Sequence, residues 1–137
     1  MENKNKNILV SVAWPYANGR IHIGHLAGCY LPADIFARLN RMIGNNVLMV
    51  SGSDAHGTPV VISALQEGKT PEELFQYYDN DINKTWSNLK INFDLFTSTR
   101  TQNHEEVVQN IFLDLLEKDL IYSKDMMLPY CEDCKRF

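Results

Sequence analysis

The sequence predicts an α/β fold built on a parallel sheet, and three observations carry that reading. Short apolar, partly β-branched runs recur at Ile8–Trp14, Asn46–Val50 and Phe93–Thr97. Between them lie segments whose apolar residues recur three and four positions apart, the helical period. The period switches within single loops, and strands alternating with helices imply a parallel sheet with helices packed on it.

Taken in order, Ile8-Leu9-Val10-Ser11-Val12-Ala13-Trp14 is mostly apolar and stops at Pro15, as expected of a buried parallel strand ending in a turn. From about His25 to Met42 the pattern is helical, with Leu26, Tyr30, Ala33 and Ala37 on one side. Pro32 has no N–H for the Gly28 carbonyl, so this helix is expected to kink or divide, and to end near Gly44. Asn46-Val47-Leu48-Met49-Val50 reads as a second buried strand, and Thr58 and Pro59 as the N-cap and first residue of a helix that stops at Gly68.

Thr70-Pro71-Glu72-Glu73 combines an N-cap, a first-turn proline and a capping-box glutamate. It opens a third helix whose stripe of Leu74, Phe75, Tyr78, Ile82, Trp86 and Leu89 is expected in the core. Phe93-Asp94-Leu95-Phe96-Thr97 alternates, as for a third strand, while Val107, Val108, Ile111, Phe112, Leu115 and Leu116 mark a fourth amphipathic helix. Past Leu120 the helical period is lost, which places a boundary near residues 117 to 120.

Composition bounds the rest. The chain has 137 residues, 45% of them hydrophobic, enough for one core, and no run of about 18 apolar residues to span a membrane. Met1-Glu2-Asn3-Lys4-Asn5-Lys6-Asn7 is polar and lacks the apolar stretch of a signal peptide, so a cytoplasmic protein is expected. The net charge of −4, without a dense Lys/Arg block, argues against this segment gripping a nucleic-acid backbone by itself. Three cysteines are too few and odd for a disulfide framework, and Cys131-x-x-Cys134 is half of a metal site at most, since zinc takes four ligands.

The most informative stretch is Pro15-Tyr16-Ala17-Asn18-Gly19-Arg20-Ile21-His22-Ile23-Gly24-His25, where strand gives way to helix. A helix start leaves unpaired N–H groups and about half a positive charge, a setting for an anion. Gly24 would admit a ring or phosphate close to the backbone, Gly19 would supply a positive φ for a tight turn, and His22 and His25 add imidazole donors. Gly19 and Gly24 have P-loop spacing, but His25 and Leu26 stand where Lys and Ser or Thr belong, and Gly19, Gly24 and Gly28 do not form G-x-G-x-x-G. An isolated histidine here would ordinarily be a cap or a surface group.

His22-Ile23-Gly24-His25 is similar to the HIGH signature of the class I aminoacyl-tRNA synthetases, and the Pro-Tyr-Ala-Asn-Gly run before it resembles the version in the methionine-specific members. Gly52-Ser53-Asp54-Ala55-His56-Gly57-Thr58-Pro59 resembles the segment closing the second strand of that family's catalytic domain. The resemblance implies the first half of a Rossmann-like nucleotide-binding fold over residues 1–118. It also implies the start of a connective-peptide insertion, with its zinc knuckle, over 119–137. No KMSKS sequence is present, so the chain is expected to be an amino-terminal fragment, inactive without the missing carboxyl-terminal part.

The implied activity is ATP-dependent activation of methionine to methionyl-adenylate and its transfer to tRNA(Met), with ATP and Mg2+ as substrate and Zn2+ in the full-length protein. By resemblance, His22 and His25 are catalytic donors, and His22, Gly24 and His25 hold ATP. Trp14, Tyr16 and Asp54 would bind the amino acid, with Asp54 on its ammonium group, and Cys131 and Cys134 would be a zinc half-site. Competing readings make Asp54 a helix cap, Trp14 and Tyr16 core residues, and His56 purely structural. The alternative function is a non-catalytic nucleotide- or methionine-binding module that pairs with a separate chain.

Overall fold

The computed structural model describes residues 5–133. The chain forms two compact units, one up to His104 and one from Glu105. In the first, β1 (Asn7–Ser11), β2 (Asn46–Ser53) and β3 (Leu95–Ser98) form a sheet in the order β1-β2-β3, with both pairings parallel. Ile8 lies beside Val47, Val10 beside Met49, and Val50 beside Leu95. The predicted α/β class with a parallel sheet is thus observed.

The strands are half-buried, where burial on both faces was expected. Side chains alternate across a strand, so Val10, Val12, Val47 and Met49 face the core while Leu9 and Leu48 remain 65% and 51% exposed. β3 begins two residues later than expected, because Phe93 packs into the core from the approach to the strand. Asp94 then accepts hydrogen bonds from the Met49 N–H at 2.6 Å and from Arg41 at 2.7 Å.

The first helix is continuous but not uniform. It runs as α1 (Ile23–His25), a π-helical turn (Leu26–Tyr30) and α2 (Leu31–Met42). The interruption expected at Pro32 takes this form: the Leu31 N–H reaches back to the Leu26 carbonyl, and the widened turn accommodates a residue without an N–H. Asp34 is buried on α2 and accepts from Arg38 at 2.6 Å, and Arg38 also donates to the Lys90 carbonyl.

α3 (Thr58–Gln66) is capped by Gly57, whose φ of 127° lies outside the range of most side chains. Thr58 is therefore the first helical residue and not the cap. α4 (Pro71–Leu89) has the predicted capping box, Thr70 accepting from the Glu73 N–H at 3.2 Å and Glu73 accepting from the Thr70 N–H at 2.9 Å. Its stripe packs inward through Leu74, Phe75, Ile82 and Trp86, but Leu89 is exposed where the chain turns off at left-handed Lys90.

Trp86 organises the core. Its ring lies 4.4 Å from Tyr30, 5.9 Å from Phe93 and 6.3 Å from Phe96, joining helix, loop and strand. A smaller cluster of Val60, Ala64 and Leu74 joins α3 to α4. α5 (Gln102–Glu117) forms as predicted, yet Val107, Val108, Ile111, Phe112 and Leu116 are exposed. Among the described residues, no helix is long and apolar enough to cross a membrane.

Two outcomes test this packing. Leu74→Ala, at a fully buried position, is expected to cost about 2–5 kcal/mol in denaturant unfolding, whereas Leu113→Ala stays within about 0.5 kcal/mol. Burial, with a smaller contribution from Cys29, pushes the Tyr30 hydroxyl up to about 12. Because the folded value is raised above the ordinary value of about 10, the associated stability is full below that pH and is lost as pH rises through the folded value. A tyrosinate absorbance titration should contain a late step near pH 12 that Tyr30→Phe removes.

Candidate functional site

Pairing between the first two strands continues beyond their ladder. The Val12 N–H donates to the Val50 carbonyl at 2.9 Å, the Asp54 N–H to Pro15 at 2.8 Å, and the Ala17 N–H to Asp54 at 3.0 Å. Tyr16 and Asp54 thereby form an isolated parallel bridge. Ser51 Oγ donates to the Val12 and Ala13 carbonyls, and Tyr30 Oη to Ala13 at 3.1 Å. The two sequence motifs are thus joined at the carboxyl ends of neighbouring parallel strands, where ligands bind in open α/β sheets.

Trp14 and Tyr16 leave this extension as partly exposed rings, 38% and 45% accessible, so neither is plain core. Each lies against a glycine. A Cβ on Gly52 would come within 2.7 Å of the Trp14 ring and of the Thr97 carbonyl, and one on Gly57 within 3.5 Å of the Tyr16 ring. A glycine inside a strand signals such close approach, and Gly52 is the sequence's sign of it.

His22 and His25 are brought together, their rings stacked with centroids 3.8 Å apart. They form a capping box of their own. The Gly24 N–H donates to His22 Nδ1 at 3.1 Å, and the His22 N–H donates to His25 Nδ1 at 3.3 Å. Both Nδ1 atoms are acceptors, so each neutral ring carries its proton on Nε2. Capping and ligand-binding roles are therefore compatible, one nitrogen serving each.

Gly24 is crowded by His22 itself: a Cβ there would lie 3.0 Å from Cε1 and 3.1 Å from Nδ1. Gly19 does not take the positive φ open to it; among the described glycines only Gly44, Gly57 and Gly68 do. Arg20 donates to Tyr77 Oη at 3.5 Å and lies 4.0 Å from Asp81, holding the loop to α4; the Tyr77 bond leads the effects that raise its guanidinium above the ordinary range. Pro15, Tyr16, Asn18, Gly19, Arg20, Ile21 and His25 line a cavity of about 160 Å³. That is below the roughly 300–1,000 Å³ of small-molecule clefts.

Asp54 does not cap α3, whose cap is Gly57. Its Oδ1 accepts the His56 N–H at 3.1 Å and faces the Thr99 hydroxyl at 3.5 Å, and Oδ2 has no hydrogen-bond partner among the described residues. His56 contributes through its backbone, with an exposed side chain. Thr99, just beyond β3, also accepts the Ala55 N–H at 2.9 Å. Nothing in the local sequence singled out Thr99, which reaches the site only through sheet order.

Cys131 is exposed, and Cys134 lies outside the described residues. Among the described residues no three His, Cys, Asp or Glu side chains gather as a metal site. Zinc needs four ligands, so the residues described here do not fit it.

The family described as tRNA synthetases class I (M) matches residues 8–137. The methionine–tRNA ligase of Roseiflexus sp. (strain RS-1) is 56% identical over 131 residues, covering 96% of this chain and 22% of that protein. Its counterpart in Thermomicrobium roseum is 54% identical over 132 residues, covering 96% and 23%. The methionyl-tRNA synthetase of Mycobacterium tuberculosis, solved with methionyl-adenylate, is 26% identical with a TM-score of 0.76, over 83% of this chain and 22% of that one. The LeuRS of Agrobacterium radiobacter K84, solved with tRNA and LeuAMS, is 28% identical with a TM-score of 0.84, over 91% and 16%. The chain thus spans less than a quarter of the length of these relatives, and it belongs to the class I (M) tRNA synthetase family.

Proposed function

We propose that this chain is the HIGH-bearing part of a methionine–tRNA ligase, which joins methionine to ATP as methionyl-adenylate and passes the methionyl group to tRNA(Met). The observation that supports the reading is the Tyr16–Asp54 bridge, which ties the loop leading to the two histidines to the strand end that carries Asp54. One loop carries two imidazoles whose Nδ1 atoms accept backbone N–H groups, and the other carries a carboxylate with one oxygen unpartnered among the described residues.

In the proposed reaction the methionine carboxylate attacks the α-phosphate of Mg2+-bound ATP in line, and pyrophosphate leaves. Negative charge builds on the phosphate oxygens. His22 and His25 donate to them, with Gly24 leaving room for the His22 ring beside the phosphate chain, and removal of such a donor costs about 3 kcal/mol of transition-state stabilisation. Asp54 pairs with the methionine ammonium group, and Trp14 and Tyr16 border the thioether, where sulfur against an aromatic ring is worth about 0.3–1.5 kcal/mol.

The cavity beside His25 accounts for only part of a nucleotide site. We therefore assign residues 1–118 to the first half of the catalytic domain and residues 119–137 to the start of the connective insertion. The KMSKS loop and tRNA contacts belong to the rest of a cytoplasmic enzyme, as does any zinc knuckle built on Cys131 and Cys134, and no step is routed through that metal. The alternative, a binding module without chemistry, makes the opposite prediction in the same assay.

Mixed with the carboxyl-terminal remainder of a relative, the chain should support methionine-dependent ATP–pyrophosphate exchange; binding without exchange favours the module. In calorimetry His25→Ala should weaken ATP, and unchanged affinity would remove His25 from the site. Asp54→Ala should abolish methionine binding while ATP is retained, and equal loss of both would return Asp54 to a structural role.

A further inference from the structure

We propose that Thr99 is a positioning residue for the amino-acid side of the site, its hydroxyl fixing the Asp54 carboxylate so that Oδ2 is presented to the substrate ammonium group. This rests on the reading of Asp54 above. A threonine hydroxyl has one proton to donate and two lone pairs. The Ala55 N–H, from a buried residue, takes a lone pair at 2.9 Å. The hydroxyl proton is then directed at Asp54 Oδ1, 3.5 Å away.

Oδ1 also accepts the His56 N–H at 3.1 Å, so both donors act on the same oxygen. A carboxylate pinned at one oxygen is limited in rotation, and its second oxygen keeps a fixed direction. Thr99 is itself anchored, its N–H donating to the Ser53 carbonyl at 3.2 Å as the β2–β3 pairing extends past the strands. Tyr16, Asp54 and Thr99 thus follow three adjacent strands and meet at one end of the sheet. The 3.5 Å separation is long for a hydrogen bond.

The test is calorimetric binding of three ligands to the full 137-residue chain: methionine, ATP, and 4-(methylthio)butanoate, which is methionine without its ammonium group. Thr99→Val keeps the shape and removes the hydroxyl; Thr99→Ser restores it. Thr99→Val is expected to weaken methionine about tenfold while leaving ATP and the deaminated analogue unchanged, and Thr99→Ser to bind methionine within about threefold of the parent. Equal weakening of all three ligands by Thr99→Val would make Thr99 a structural residue and overturn the proposal. If Asp54→Asn loses methionine and Thr99→Val does not, the proposal falls and the role of Asp54 stands. If Asp54→Asn binds methionine as the parent does, or the parent binds none, the underlying reading falls and the proposal with it.

Discussion

The whole site hangs on the continuation of β1–β2 pairing beyond the regular ladder. Two backbone hydrogen bonds, from Asp54 to Pro15 and from Ala17 to Asp54, hold two loops that each follow a strand. Parallel strands cannot be joined by a short hairpin, so the partners that meet here, Tyr16 and Asp54, are far apart along the chain, as Asn7 and Asn46 are at the start of the register. Without that pairing the histidines and the aspartate would sit on independent loops, each ordered at its own cost in backbone entropy.

That pairing is in turn supported from below. Tyr30, at the end of the π turn, reaches the Ala13 carbonyl while its ring packs on Trp86. One residue thereby couples the helix carrying the histidines to the strand end carrying Trp14. The π turn matters for the same reason. Pro32 forbids a regular hydrogen bond at that point in the helix, and the extra residue in the turn changes which side chains face the sheet. Functional sites often lie near such widened turns, and here the turn begins at the residue following His25.

Much of this was legible in local sequence. The Thr70–Glu73 capping box, the stripe from Leu74 to Trp86, the strand cores around Val10 and Met49, and the switch of period after Pro15 are encoded within a few residues and reappear where expected. Other features were not legible because their cause is distant. Thr58 looked like a cap until Gly57 proved to carry the turn. Leu89 matched the helical stripe, but Lys90 turns the chain away one residue later. The exposure of Leu9 and Leu48 depends on what packs on that face of the sheet, which periodicity does not report.

The amino-acid sequence by itself determined the α/β class, the order of the elements, and the two motifs with their histidines and aspartate, because each is written in residues adjacent along the chain. The capping of their own helix by His22 and His25 through Nδ1 is likewise local, and the tertiary structure decided what lies farther off along the chain. It alone decided that Gly52 admits the Trp14 ring and that Thr99 stands against Asp54. Those relations are set by which strands are neighbours and in what register, and strand order is a property of the packed sheet, not of any one segment.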